Sequence, residues 1–216
     1  MKSAAAAAGR DPRNVTLLAV SKTHPAALVE EALAAGQRFF GENYVQEALE
    51  KMDAVKGAAH LPEWHLVGPL QSNKTRLVAE RFDWVHSIES EKVARRLSEQ
   101  RPAGAAPLNV LIQVNVSGEA SKAGLAAEDV PALSKSMKNM ARIRLRGLMA
   151  IPEPGAERGR YRELRELYEK LKGEFGFDTL SVGMSDDMEL AIAEGSTMVR
   201  IGTAIFGARN AIRSAA

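Results

Sequence analysis

The chain alternates between short apolar runs and longer amphipathic stretches, and this alternation constrains its fold more than any other feature. Runs rich in branched or aromatic residues predict eight strands, at residues 15–20, 38–41, 64–67, 84–86, 108–114, 144–149, 179–182 and 198–201. Between them, helical patterns cover residues 25–35, 44–52, 74–81, 91–100, 127–139, 161–175 and 187–194. Strands that alternate with helices form right-handed βαβ units around a parallel sheet.

Eight such strands predict an α/β protein with a (β/α)8 barrel, and the 216 residues lie near the small end for that fold. A doubly wound open sheet stays open as an alternative, although no G-x-G-x-x-G follows the first strand. Residues 202–207 (GTAIFG) have the glycine spacing of a P-loop, but Ala208 and Arg209 follow where that loop has Lys-Ser or Lys-Thr. No linker or shift in composition divides the chain, so we predict one domain over residues 1–216.

Composition excludes several functional classes. The chain has 29 basic and 27 acidic residues, a net charge of +2, and no basic surface for nucleic acid is indicated. It has no cysteine, which excludes disulfides, thiolate metal sites and a cysteine nucleophile, and we predict no metal site. The start, MKS followed by five alanines, is too weakly apolar for a signal peptide, and no window reaches the length of a membrane span. We therefore expect a cytoplasmic protein without a membrane partner and, because no heptad pattern demands a dimer, a monomer.

Lys22 is the lysine that most invites a chemical interpretation. The apolar run LLAV at residues 17–20 is followed by Ser21 and Lys22 and then breaks at Thr-His-Pro. In a parallel barrel the carboxyl ends of the strands meet on the face that carries function, and only Lys22 among the lysines is predicted to end a strand there. One alternative is a lysine whose ammonium stays in solvent. The other is a lysine whose burial favours the neutral amine, which forms Schiff bases with carbonyls, including that of pyridoxal phosphate.

Such a cofactor would need a cradle for its phosphate, and two segments offer one. VRIGTAIFG supplies backbone N–H groups at Gly202 and Thr203 just after a strand, and VGMSDDMELAIAEG places Ser185 at a helix start. The plainer alternatives are a turn glycine for Gly202 and an N-cap for Ser185. Asp186 and Asp187 would bring two negative charges beside the phosphate, so we expect both to face outward.

Seven stretches together carry a family resemblance: LLAVSKT, FGENYVQE, WHLVGPLQSNK, IQVNVSGEASKAG, RGLMAIP, LSVGMSDDMELAI and TMVRIGTAIFG. They resemble the pyridoxal-phosphate homeostasis protein family, a single-domain relative of the N-terminal barrel of alanine racemase. The resemblance runs from about residue 9 to about residue 209. One departure is that only residues 3–8 precede the Gly-Arg-Asp-Pro turn, where similar members have a longer helix, and this leaves open how the N-terminal end of the barrel is covered.

The resemblance implies a cofactor site built on the strand ends. It implies a (β/α)8-type barrel, like the alanine racemase N-terminal domain, that binds pyridoxal 5′-phosphate as a Schiff base on Lys22. The other implied cofactor-binding residues are Arg200 at the pyridine nitrogen, Ser185, Gly202 and Thr203 at the phosphate, and Asn43, His65 and Met149 as further neighbours. For His65 and Met149, packing at a strand end is the alternative.

We expect cofactor handling rather than robust catalysis, with no catalytic residue assigned. An arginine at the pyridine nitrogen disfavours protonation of the ring, which makes the cofactor a poorer electron sink. Racemisation also needs a second acid or base; in alanine racemase it is a tyrosine of a second domain, and here only Tyr44 is predicted near that face, where packing is its plainer role. The expected function is buffering and delivery of pyridoxal phosphate, with cofactor-dependent apoenzymes as candidate recipients. The alternatives are a weak amino-acid racemase and a Schiff-base aldolase acting on phosphorylated sugars.

Overall fold

Eight parallel strands close into a barrel in the computed structural model, which describes residues 1–119 and 122–208. The strands are β1 Thr16–Val20, β2 Phe39–Glu42, β3 Glu63–Leu66, β4 Trp84–Ile88, β5 Leu108–Gln113, β6 Ile143–Met149, β7 Thr179–Ser181 and β8 Met198–Ile201. Each strand pairs with the next, and β8 closes the barrel by pairing with β1, Thr16 with Met198 and Ala19 with Ile201. The predicted (β/α)8 barrel is confirmed, and closure excludes the doubly wound sheet. Of the predicted domain, residues 120–121 and 209–216 lie outside the described residues.

Helices connect the strands along the outside of the barrel. They are α1 Lys2–Ala7, α2 Ala26–Ala34, α3 Val45–Ala54, α4 Thr75–Arg81, α5 Glu91–Gln100, α6 Val130–Met137, α7 Arg158–Phe175, α8 Met188–Ala193 and α9 Thr203–Phe206, with 3-10 turns at Pro12–Asn14, Ser72–Lys74 and Ala127–Asp129. All seven predicted helices are present, whereas α1 and α9 were not predicted. Across the described ranges, no helix has the length and apolar character that crossing a membrane requires.

The start of the chain packs beside α8. Ala5 of α1 is fully buried and shares an apolar cluster with Ile192 of α8. Arg10 donates from Nη1 to the backbone oxygens of Ile192, at 2.6 Å, and Ser196, at 2.7 Å. A short helix and one arginine therefore tie the start of the chain to the connection between α8 and β8.

Strand side chains alternate between the helices and the barrel interior, because successive residues of a strand point to opposite faces. In β1, Ala19 packs into the apolar layer beneath the helices, whereas Leu18 and Val20 belong to a separate interior cluster with Val67 and Met198. Interior residues two positions apart on one strand therefore lie in successive layers of the barrel. This layering decides which strand residues reach the functional face and which stay below it.

Candidate functional site

A cavity of about 590 Å³ lies at the carboxyl ends of the strands, within the size range of small-molecule sites. It brings together six of the eight predicted site residues: Lys22, Asn43, Ser185, Arg200, Gly202 and Thr203. The remaining lining residues are Val20, His24, Val67, Ile151, Met184, Asp186 and Ala204. An amine, a guanidinium and backbone N–H groups thus converge on one partly apolar space.

His65 and Met149 do not line this cavity. Both side chains are fully buried, His65 against Trp84 and Met149 in a cluster with Trp84 and Leu111. The physical reason is the layering of the barrel. Val67 and Ile151, each two residues farther along the chain, reach the cavity instead. The prediction took the last polar or large residue of each strand as a site residue. In these two strands that residue lies one layer below the cavity.

Lys22 sits in a tight turn between β1 and α2, and its side chain is half-buried. The turn begins at Ser21, whose N–H donates to Gly41 O at 3.0 Å. Thr23 follows with φ 65, the one non-glycine residue with positive φ in the described part of the chain. For a β-branched residue this conformation is strained, at a cost on the order of 1–3 kcal/mol. The Thr23 N–H donates to Oε1 of Glu47 at 2.5 Å, which holds the strained residue in place.

A buried lysine, Lys51 of α3, lies behind this turn and was missed by the sequence analysis. Its Nζ donates to Ser21 O at 2.6 Å, to Glu42 Oε1 at 2.6 Å and to Glu47 Oε1 at 2.7 Å. These contacts occupy all three N–H bonds of an ammonium, so Lys51 is not available as a nucleophile. We call Lys51, Glu42 and Glu47 the Lys51 cluster. Burial raises the pKa of Glu42, although the neighbouring Lys51 opposes that shift.

Arg200 of β8 is buried at the floor of the cavity. Its Nη1 donates to Ser181 O at 2.7 Å and to Ser181 Oγ at 2.9 Å, and its Nη2 donates to Ala150 O at 2.8 Å. Burial lowers its pKa to about 10, so the guanidinium stays charged at neutral pH. The Nε–H and one N–H of Nη2 have no acceptor among the described residues, and they remain for an acceptor in the cavity. Its hydrogen-bond partners are carbonyl and hydroxyl oxygens, not a carboxylate.

From Arg200 a chain of hydrogen bonds crosses the barrel interior, which we call the buried relay. Ser181 Oγ lies 3.2 Å from His86 Nδ1, His86 Nε2 lies 3.0 Å from His65 Nδ1, and His65 Nε2 lies 3.1 Å from Glu63 Oε1. Because Arg200 can only donate and an ionised Glu63 can only accept, one direction satisfies every link. Ser181 then donates to His86, His86 to His65, and His65 to Glu63. Each histidine is neutral and carries its hydrogen on Nε2.

The pKa shifts agree with neutral histidines. Burial lowers the pKa of His65, and it lowers the pKa of His86 well below the ordinary value, with the positive charge of Arg200 adding to the effect. The hydrogen bond from His65 lowers the pKa of Glu63, which keeps that carboxylate ionised as the final acceptor. The relay therefore presents Arg200 to the cavity in a fixed orientation.

The loop between β7 and α8 brings Ser185 to the cavity but separates the two aspartates. Asp187 accepts hydrogen bonds from the Met184 N–H and the Tyr161 hydroxyl, both at 2.6 Å, and thus faces α7. Asp186 is exposed to solvent, as expected, and it also lines the rim of the cavity. Ser185 is exposed and does not cap the helix, since Asp187 holds the N-cap position of α8.

Close backbone approaches position the remaining predicted residues. A Cβ on Gly68 would lie 2.4 Å from Asn43 O, so only glycine allows this loop to lie against Asn43. A Cβ on Gly202 would lie 3.1 Å from Val20 O, a tight contact at the junction of β8 and β1. Thr203 then begins α9, whose first N–H groups have no partner within the helix.

Sequence patterns indicate some of the buried polar residues that the sequence analysis missed. On α3 and its C-cap the spacing of Ala48, Lys51, Met52 and Val55 is typical of a buried helix face, and all four are buried, so a lysine on that face indicates a buried cation. His86 follows Trp84 and Val85, and Ser181 lies between Leu180 and Val182, so each is a polar residue beside apolar strand residues, which points to an internal hydrogen-bonded group. None of these signals names its partner, because the partners lie on other elements.

Comparison with known proteins places the chain among relatives of one kind. The profile of the family described as "Alanine racemase, N-terminal domain" matches residues 2–210. The pyridoxal phosphate homeostasis protein of Pseudomonas aeruginosa is 62% identical over 215 residues, which cover 97% of this chain and 91% of that protein. Its Escherichia coli K12 counterpart is 54% identical over 217 residues, covering 97% and 92%. The structure of PipY from Synechococcus elongatus with pyridoxal phosphate bound has a TM-score of 0.84 at 38% identity, covering 94% of this chain and 97% of PipY.

Proposed function

The chain belongs to the alanine racemase N-terminal domain family, and we propose that it binds pyridoxal 5′-phosphate at its barrel mouth and serves the homeostasis of that cofactor. The observation that carries the proposal is the convergence of Lys22, Arg200 and the backbone of Gly202 and Thr203 on one cavity. The names of the Pseudomonas and Escherichia relatives and the cofactor bound to PipY support it.

The donor set fits the three polar groups of the cofactor, which are an aldehyde, a pyridine nitrogen and a phosphate. Lys22 provides a primary amine for the aldehyde. Arg200 has two N–H bonds without an acceptor among the described residues, and a pyridine nitrogen is an acceptor that would use one of them. Gly202, Thr203 and the Ser185 hydroxyl provide neutral donors of the kind that hold a phosphate. The apolar lining suits an aromatic ring.

When bound, pyridoxal phosphate supplies an aldehyde that condenses with an amine and a ring that can withdraw electrons. In our proposal Lys22 holds the cofactor through a Schiff base, because Lys51 has all three of its N–H bonds occupied. Arg200 donates to the ring nitrogen and, as a charged group, opposes protonation there. The buried relay keeps Arg200 in that orientation. These residues favour retention of the cofactor over turnover.

A weak amino-acid racemase is the second candidate, and one observation favours it. His24 and Asp186 line the cavity, so an imidazole and a carboxyl group are present there besides the Lys22 amine. None of the three tyrosines lines the cavity: Tyr44 is 58% exposed, and Tyr161 and Tyr168 are buried residues of α7. Cofactor-dependent apoenzymes as recipients and a monomeric state stay predictions.

An absorbance spectrum of the purified protein with pyridoxal phosphate, before and after borohydride reduction, tests the proposal. We expect a yellow protein whose reduced adduct maps to the peptide that contains Lys22. Incubation with single-enantiomer alanine then separates the two candidates, since sustained loss of optical purity over many turnovers would favour the racemase. A colourless protein that forms a reducible adduct only with sugar phosphates would instead indicate the aldolase.

A further inference from the structure

We propose that Glu47 and Lys51 are positioning residues that hold the Lys22 turn, residues 21–24, in the conformation required for Schiff-base formation. The inference rests on the proposed function, because it concerns the lysine that would bond the cofactor. It assigns a role to a buried ionic cluster outside the cavity, which the binding of the cofactor does not by itself explain.

The Lys51 cluster holds the turn on both sides of Lys22. Before Lys22, Ser21 O accepts from Lys51 Nζ at 2.6 Å, and Ser21 Oγ donates to Glu42 Oε1 at 2.6 Å. After Lys22, the Thr23 N–H donates to Glu47 Oε1 at 2.5 Å. Lys51 Nζ also contacts both carboxylates, at 2.6 and 2.7 Å, and so joins the two sides. The backbone that enters and leaves Lys22 is therefore fixed by one cluster.

The turn needs this support because its backbone is strained. Thr23 has φ 65, and its Oγ1 is buried without a hydrogen-bond partner in the part of the chain that the structure describes. Threonine rarely adopts a backbone conformation with positive φ, and it does so only where contacts with neighbouring residues hold it there. Glu47 provides such a contact, because its carboxylate accepts the Thr23 N–H. Strain of this kind collects at functional sites, and here it lies next to the one lysine that lines the cavity.

Stability alone is a weak reason for such a cluster. The side chains of Lys51 and Glu42 are 4% and 0% exposed, and the desolvation of a buried ion pair offsets much of its attraction. Apolar residues of similar size would stabilise the same position equally well. What apolar residues cannot do is accept the Thr23 N–H and donate to Ser21 O. The cluster therefore specifies the path of the backbone at Lys22.

The test compares two ligands, pyridoxal 5′-phosphate and pyridoxine 5′-phosphate, which has an alcohol in place of the aldehyde and forms no Schiff base. The ratio of their dissociation constants measures the covalent part of binding. Glu47→Ala removes the acceptor, whereas Glu47→Gln keeps an oxygen for the Thr23 N–H. Glu50→Ala, an exposed glutamate of the same helix, is the matched control. Urea unfolding confirms that each variant is folded, and Glu47→Met, which keeps the side-chain length without an acceptor oxygen, replaces Glu47→Ala if that variant does not fold.

We expect Glu47→Ala to reduce the affinity ratio about tenfold, the effect of losing one charged hydrogen bond, while pyridoxine 5′-phosphate binds as before. Glu47→Gln and Glu50→Ala should keep the wild-type ratio. A folded Glu47→Ala or Glu47→Met variant with the wild-type ratio would overturn the positioning role while leaving the proposed function standing. A wild-type ratio near one, with no borohydride-reducible adduct, would overturn the Schiff base itself and this inference with it.

Discussion

Arg200 and Ser181 are joined twice, since the guanidinium Nη1 donates to the serine backbone oxygen at 2.7 Å and to its Oγ at 2.9 Å. A guanidinium cannot accept a hydrogen bond, so the serine hydroxyl must give its own hydrogen to His86 Nδ1, 3.2 Å away. One serine therefore connects a cavity residue to the histidine pair inside the barrel, and the buried relay depends on it.

Ser181→Ala should lower the free energy of unfolding by about 1–3 kcal/mol, because His86 Nδ1 becomes a buried acceptor without a donor. Urea unfolding at neutral pH measures this. The matched control is Ser134→Ala, another fully buried serine whose Oγ donates to Val130 O one helical turn earlier, at 2.8 Å. That change should be nearly neutral, because alanine is the better helix former. Equal losses of unfolding free energy in the two variants would contradict a stabilising hydrogen bond from the Ser181 hydroxyl to His86.

The histidine pair predicts how stability depends on pH. Burial lowers the pKa of His65 and His86 in the folded protein, whereas both titrate near 6.5 when unfolded. Below about pH 6.5 the unfolded state therefore binds protons that the folded state does not, and stability falls by at most about 1.4 kcal/mol per pH unit for each histidine. His86→Gln keeps an acceptor and a donor but cannot titrate, so its stability should fall less steeply by about that amount.

Unfolding titrations at several pH values between about 6.5 and 5 compare the wild type with His86→Gln. The raised pKa of Glu42 acts in the opposite direction, since stability is lost as pH rises above the unfolded value of that carboxyl. This contribution is the same in both proteins and cancels in the difference. Parallel slopes would contradict a neutral, buried His86.

The barrel could be predicted from the sequence because its signal is local. Each of the eight strands is a short apolar run, and each of the seven predicted helices has its own amphipathic pattern, so no long-range knowledge was needed. The helix α1 was missed because KSAAAA has high helix propensity but no apolar periodicity. The helix α9 was missed because four residues are too few to show a period.

The site could be predicted only in part, because strand ends give the face of the barrel but not the depth of a residue. Lys22 and Arg200 were expected at the cavity and line it, whereas His65 and Met149 lie one layer below. The buried relay depends on contacts such as that between Ser181 and His86, 95 residues apart, which no local pattern encodes. The Lys51 cluster likewise depends on which face of α3 packs against β2, and no local pattern encodes that contact.

Lys51→Met should destabilise the protein by about 3–5 kcal/mol, because Glu42 is left as a buried carboxylate without a cation. The double variant Lys51→Met with Glu42→Gln should recover part of that loss, since the glutamine carries no charge. Lys56→Met, at an exposed lysine just after α3, is the control and should change stability by less than about 0.5 kcal/mol. Urea unfolding measures all three, and a double variant no more stable than Lys51→Met would argue against an ionised Glu42.

Ser185→Ala should weaken cofactor retention without lowering stability, because this serine lines the cavity and caps no helix. One neutral hydrogen bond contributes about 1 kcal/mol, so affinity for pyridoxal phosphate should fall several-fold, while affinity for pyridoxal, which lacks the phosphate, should not change. Ser90→Ala provides the opposite case, since Ser90 accepts the Val93 N–H as the N-cap of α5. It should cost about 1 kcal/mol of stability and leave retention unchanged. Equilibrium dialysis and urea unfolding decide, and equal losses for both ligands would mean that Ser185 holds no phosphate.

Lys22→Ala should abolish the Schiff base and leave both the fold and the non-covalent site intact. The side chain is half-buried in a turn after β1, so its removal leaves no cavity in the barrel interior, and stability should change by less than about 0.5 kcal/mol. Affinity for pyridoxal phosphate should fall to that for pyridoxine 5′-phosphate, which the variant should bind as the wild type does. Absorbance spectra, borohydride reduction and peptide mapping check the covalent part, and calorimetry checks the affinities. A variant that is still yellow and borohydride-reducible would mean that another lysine forms the Schiff base. Lys74 and Lys122 would be the first to map. Lys51 is excluded, because its ammonium makes three hydrogen bonds.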